Sequence, residues 1–293
     1  MPRAASTLLQ QQVFPRMEGF AFFGVEVTHY GRAFRQMLYS DDTLFDPAGF
    51  AKAVTGMKEA DAVLSNELFS GQSAYLNATN RSRTARRLAA AFPEGEIILI
   101  LRNQAALLRS LYSIGVYAGH HMAPEDFVHF DASESDLAGA PTFRPAESVE
   151  IYRYRPLIEL YRGLFKKVHL FLFEDLRADP EGFLERLSAK TGTAFTSAPD
   201  LSGKVNRSLS ARQIAVMRKL NKWKDVHEAT ALGKRAFRMK ARIIERYAGG
   251  KKPFRFSPEL EARIKSEFRS ENEALAKAFP ELTESGVFER FYL

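Results

Sequence analysis

The stretch that most narrows the folds open to this chain is Glu96-Ile97-Ile98-Leu99-Ile100-Leu101. It is β-branched and apolar on both faces, and Pro93-Glu94-Gly95 and Arg102-Asn103 close it off. A strand of that kind needs cover on both sides, which is the condition of a parallel sheet between helices. Val168 to Phe173 repeats the pattern and ends in Glu174-Asp175-Leu176, while Phe20 to Val25 and Ala62 to Ser65 supply two shorter runs. Helical spacing fills the intervals. It predicts Leu8 to Val13, ended near Pro15, and 47–59, with Pro47 at an early helical position. Arg81 to Phe92 follows, with Leu88, Ala89 and Phe92 inward, then Gln104 to Ala118. Val149 to Phe165 turns Ile151, Leu157, Ile158 and Leu160 to the core, and Pro180 to Lys190 is stopped by Gly192.

Past residue 200 only helical patterns remain, at 209–225, 228–247 and 257–279. The polar, Ser/Gly/Pro-containing stretch 131–146 reads as a loop. The predicted fold class is therefore α/β, an open and mostly parallel sheet with flanking helices and a helical C-terminal part. One domain accounts for residues 1–293, with an α/β core over 1–200 and a helical extension over 201–293.

Composition removes several functions. The chain has no cysteine, which excludes disulfides and thiol chemistry and fits a reducing cytoplasm. Its longest apolar run, Ile97 to Leu101, is far too short to span a bilayer, and no apolar signal core is visible. His120, His121 and His129 form no metal site on this reading, because adjacent histidines point apart on a helix. The net charge of +7 is uneven: Gly203 to Arg255 carries sixteen Lys/Arg against three Asp/Glu, which leaves the remainder six negative. Such a block suits a polyanion or a solvated helical face. No nucleic-acid motif accompanies it, so no nucleic-acid partner is expected. Trp223 and the many phenylalanines read as core.

In open parallel sheets, ligands sit beyond the carboxyl ends of the strands. Those ends carry Ser65-Asn66-Glu67, Arg102-Asn103 with Ser110 on the next helix, and Glu174-Asp175. The N-terminus adds Arg3-Ala4-Ala5-Ser6-Thr7-Leu8, in which small and hydroxyl residues lead into a helix. Amides at such a turn, with the positive end of the helix dipole, favour an anion. Read alone, the same residues describe an ordinary capped helix.

Pro2-Arg3-Ala4-Ala5-Ser6-Thr7-Leu8-Leu9-Gln10 resembles the phosphosulfate-binding loop of the sulfotransferase family. Leu101-Arg102-Asn103-Gln104 through Ser110 resembles that family's 3′-phosphate motif. Phe173-Glu174-Asp175-Leu176-Arg177-Ala178-Asp179-Pro180 is similar to its Tyr-Glu-Asp-Leu-x-x-x-Pro strand end. Lys204-Val205-Asn206-Arg207-Ser208 and the final helix, with Asn272 and Leu275, match less specifically.

The resemblance implies a P-loop-like sulfotransferase fold that takes 3′-phosphoadenosine 5′-phosphosulfate (PAPS) as co-substrate, without a metal. The sulfuryl group would pass to a hydroxyl or amine of an acceptor, with a carbohydrate, anionic in view of the basic block, favoured. Backbone amides of Ala5, Ser6, Thr7 and Leu8, in the loop that begins at Ala4, would hold the 5′-phosphosulfate. Arg3 would stabilise the departing phosphate, Arg102 and Ser110 would hold the 3′-phosphate, and Arg207 would add a further cofactor contact. The acceptor's proton would go to Glu67, with His29 in reserve.

Four departures from the family pattern stand out. Only Met1 precedes Pro2 where the family has a central strand, so the expectation is a sheet with a gap in its middle and a natural start upstream. Gln104 replaces a Pro, Phe173 replaces a Tyr, and Ala4 and Ala5 replace a hydroxyl and a Gly. Two other classes stay open at this point. A P-loop kinase would need G-x-x-x-x-G-K-[ST], and the first eighteen residues hold no glycine. A non-catalytic scaffold on a degenerate version of the fold would use the basic block to hold a polyanion.

Overall fold

The computed structural model describes residues 4–24, 31–56, 61–70, 81–128, 130, 149–201, 209–222, 244 and 252–293. The helical segment α1 opens it, with α-helix at Ser6–Leu8, π-helix at Leu9–Val13 and a 3-10 turn at Phe14–Arg16. The first two strands are β1 (Phe20–Phe23) and β2 (Asp61–Leu64), separated by α2 (Arg32–Tyr39) and α3 (Pro47–Thr55). Next come α4 (Arg81–Ala91), β3 (Glu96–Leu101), α5 (Gln104–Tyr117) and the short α6 (Pro124–Phe127). Then follow α7 (Tyr154–Arg162), β4 (Lys167–Leu172), α8 (Phe173–Ala178) and α9 (Pro180–Thr191). The C-terminal part is α10 (Ala211–Asn221), α11 (Pro258–Ala278) and α12 (Val287–Tyr292).

This is the α/β class, and its described strands pair parallel. They form two separate pairs, however, rather than one sheet. β1 runs beside β2 with Phe20 opposite Asp61, and β3 beside β4 with Glu96 opposite Lys167. Apolar side chains from α1 reach across both: Leu9, Val13 and Phe14 share one cluster with Phe22, Val63, Ile98, Ile100 and Phe171. Burying each such side chain contributes about 1.5–3 kcal/mol, so α1 is a structural bridge as well as a candidate ligand turn. A second, larger core surrounds the inner face of α5, where Leu107, Leu108, Leu111, Tyr112 and Val116 are buried and the neighbouring helices are α10 and α11.

Two local expectations are corrected. Val149 to Phe165 is not one helix: a 3-10 turn at Val149–Tyr152 precedes α7, and Glu271 accepts the Tyr154 and Arg155 N–H groups at 3.1 and 2.9 Å. Glu271 thereby satisfies amides at the start of α7 that the helix itself leaves open. β4 ends at Leu172, and Phe173 starts α8 instead of closing the strand. Leu157 and Ile158 are fully buried as expected, while Ile151 and Leu160 pack at the core's margin.

The predicted segments 131–146 and 228–247 lie outside the described residues, apart from Ile244, as do Trp223, His129 and most of the basic block. Among the described residues no helix is long and apolar enough to cross a membrane, and no cluster of metal-ligating side chains occurs.

Candidate functional site

The turn into α1 carries a backbone outlier. Ala5 has φ 59°, the one left-handed non-glycine residue among those described. An alanine held there costs roughly 1 kcal/mol, and strain of this kind is kept where surrounding structure enforces it. A left-handed residue feeding a right-handed helix turns successive N–H groups toward one point, the geometry of an anion nest. Ala4 is 1% exposed and packs into the α1 cluster, so it anchors the turn from beneath.

Two side-chain bonds join this turn to the end of β2. The Ser6 hydroxyl donates to Glu67 Oε1. Gln10 Nε2 donates to Ser65 Oγ at 2.9 Å and to the Ser65 carbonyl at 3.3 Å. Backbone pairing continues past the strand, with Ser65 N–H on the Phe23 carbonyl at 3.1 Å. The Leu68 N–H bond to Asn66 Oδ1 at 2.8 Å then turns the chain into the 3-10 turn Glu67–Ser70. Glu67, sixty-one residues from Ser6, is thus brought onto the loop by the strand that precedes it.

At the end of β3, Arg102 is half-buried with its guanidinium 4.5 Å over the Phe173 ring. Phe173 also belongs to the cluster that holds Ala5 and Leu8, so Arg102 and the loop share the same apolar floor. Phe173 therefore has a use that a hydrogen-bonding count misses, because its ring face is a platform for a cation. Asn103 caps α5, accepting the Ala106 N–H at 3.0 Å. Ser110 is half-buried just over two turns beyond Arg102 on that helix. Gln104, the replacement for Pro, has a structural role: it exchanges amide bonds of 2.8 and 3.2 Å with Asn272 of α11.

The Glu174-Asp175 strand end faces inward. Both are 7% exposed. Burial pushes the Glu174 carboxyl above the usual carboxylate range, opposed in part by the Asn103 N–H, the Tyr292 hydroxyl and the Arg102 charge. Asp175 is likewise raised by burial, while the Ser285 hydroxyl at 2.6 Å and Arg186 favour its charged form. The partners of this pair are the C-terminal segment from Ser285 to Tyr292, the β3 turn and Arg186 of α9. That Tyr292 and Gln10 belong to the site's support was missed from sequence, because isolated polar side chains without periodicity carry no signal of which distant partner they meet.

Among the residues proposed from sequence, the structure brings Ala5, Ser6, Leu8, Glu67 and Arg102 to one edge of the strands and sets Ser110 on the helix leading away. Thr7 lies in the first turn of α1. Arg3, His29 and Arg207 lie outside the described residues, as do Lys204 and Asn206.

No family model matches the chain, and no curated protein matches it in sequence. The crystal structure of a sulfotransferase from Alicyclobacillus acidocaldarius is similar at 13% identity over 70% of this chain and 83% of that one, with a TM-score of 0.48.

Proposed function

We propose that this protein is a sulfotransferase that binds PAPS across the strand ends and passes its sulfuryl group to a hydroxyl or amine. The observation that carries the reading is the Ser6–Glu67 hydrogen bond, which sets a carboxylate against an anion-shaped turn. An internal carboxylate on that turn takes the place of the ligand's own anion. Arrival of the donor exchanges the two, so that Ser6 and the loop amides hold the phosphosulfate and Glu67 is released toward the acceptor. Arg102, braced on Phe173, offers a planar fork to the 3′-phosphate, with Ser110 as the accompanying hydroxyl.

In the reaction the acceptor oxygen or nitrogen forms its bond to sulfur as the bridging sulfur–oxygen bond breaks. The electron pair of that bond departs on the 5′-phosphate of adenosine 3′,5′-bisphosphate. Glu67 takes the acceptor proton, and Arg3 meets the charge on the leaving phosphate. The protein's share is mainly in-line positioning and charge stabilisation, as in phosphoryl transfer. A cytoplasmic setting and an anionic carbohydrate acceptor complete the proposal.

The test is transfer of labelled sulfate from PAPS across an acceptor panel. With the acceptor that responds, Glu67→Ala is expected to keep adenosine 3′,5′-bisphosphate binding and lose about a hundred-fold in turnover. Full turnover in that variant overturns the base assignment, and no transfer to any acceptor by the wild type overturns the enzyme.

A further inference from the structure

One peptide unit beside the proposed 3′-phosphate site is held at both of its polar ends. The carbonyl of Arg102 accepts the Tyr154 hydroxyl, and the N–H of Asn103 donates to Glu174 Oε1 at 3.1 Å. Because a peptide is planar, fixing both ends fixes the backbone torsion that aims the Arg102 side chain. Glu174 is in turn fixed by the chain's last helix, where the Tyr292 hydroxyl donates to its Oε2 at 2.8 Å. Tyr292 is itself pinned, with its ring stacked on Phe288 at 4.6 Å and its carbonyl taking the Asn272 amide at 3.0 Å. A second tie runs from Asn103 Nδ2 to the Phe291 carbonyl.

We infer that Tyr292 and Glu174 are positioning residues, through which the C-terminal helix α12 sets the Arg102–Asn103 peptide and so the aim of the phosphate-binding guanidinium. The inference rests on the functional reading above. Removing the Tyr292 hydroxyl leaves a buried carboxylate with one donor fewer. The carboxylate then turns to find another partner, and the Asn103 N–H loses its fixed acceptor.

Calorimetric titration of the full chain with adenosine 3′,5′-bisphosphate tests it. Tyr292→Phe is expected to bind about ten-fold more weakly than the wild type, the effect of one charge-assisted hydrogen bond. Ser285→Ala cuts the other tie between this segment and the strand end, at Asp175, and is expected to lower the melting temperature without changing affinity. Unchanged affinity in Tyr292→Phe, or an equal loss in Ser285→Ala, overturns the positioning role.

Should Tyr292→Phe not fold, Tyr154→Phe, which releases the carbonyl end of the same peptide, carries the same expectation and the same contrary result. Amide exchange at Asn103 in the free protein separates this inference from the functional reading. Faster exchange in Tyr292→Phe supports the clamp even if the wild type binds no bisphosphate, a result that would remove the sulfotransferase reading alone. Unchanged exchange sinks the clamp whatever the ligand.

Discussion

Arg102→Ala is expected to weaken adenosine 3′,5′-bisphosphate binding by about a thousand-fold, the loss of two charge-assisted bonds to one phosphate. The variant should fold normally. The guanidinium is half-buried over Phe173, and the hydrogen bonds that organise this turn run through the main chain of Arg102 and Asn103, which alanine retains. Arg102→Lys keeps the charge and loses the fork, so its affinity is expected to fall between the two. Affinity in Arg102→Ala within a few-fold of the wild type would move the 3′-phosphate away from β3, and with it the whole arrangement along the strand ends.

Arg87→Met is expected to cost about 3 kcal/mol of folding stability. Arg87 is 4% exposed and caps the C-terminus of α2 from a different helix. Its Nη1 donates to the Met37 carbonyl at 2.6 Å and to the Gln36 carbonyl at 3.3 Å, and its Nη2 to the Ser40 carbonyl at 2.8 Å. The Gln36 carbonyl is also met by the Ser40 N–H at 3.0 Å, so the loss falls on the buried Met37 carbonyl and the half-buried Ser40 carbonyl, each worth roughly 1–3 kcal/mol before relaxation. The ion pair with Asp42 at 2.7 Å is a lesser part, because the Asp42 side chain is 65% exposed. Asp42→Asn is therefore expected to cost under about 1 kcal/mol. Urea unfolding of the two variants decides it: similar losses would mean that the ion pair, not the carbonyl cap, holds the corner.

The same corner shows why some of the fold was legible in the residues and some was not. Glu96–Leu101 was readable to the residue, because a two-sided apolar run between turn signals has few other uses. α9 was readable from Pro180 at its start and Gly192 at its end, where φ is 68°. α2 was not. Its eight residues present only Phe34, Met37 and Leu38 inward, and its end is secured by a side chain from α4 that no local pattern announces. The division of 149–165 into a turn and a helix has a similar cause, since Glu271, more than a hundred residues later, supplies the cap.

For the site, the strand-end position of Glu67 and Arg102 followed from where strands stop. Which atoms they meet did not. Ser6 as the partner of Glu67, and Phe173 as the platform of Arg102, depend on α1 lying across both strand pairs. Glu174 and Asp175 read as carboxylates at a strand end, and the structure turns them to Tyr292 and Ser285. A residue's place in the chain order located the edge of the sheet, and tertiary contact decided which side chains face outward from it.

The most direct test of the proposed function is the thermal shift of the wild-type protein with adenosine 3′,5′-bisphosphate, set beside that with ATP and magnesium. The proposed anion turn, which has no lysine-bearing glycine loop and is paired on this reading with an arginine for a second phosphate, predicts the larger stabilisation from the bisphosphate. An equal shift, or a larger one from ATP with magnesium, would contradict it.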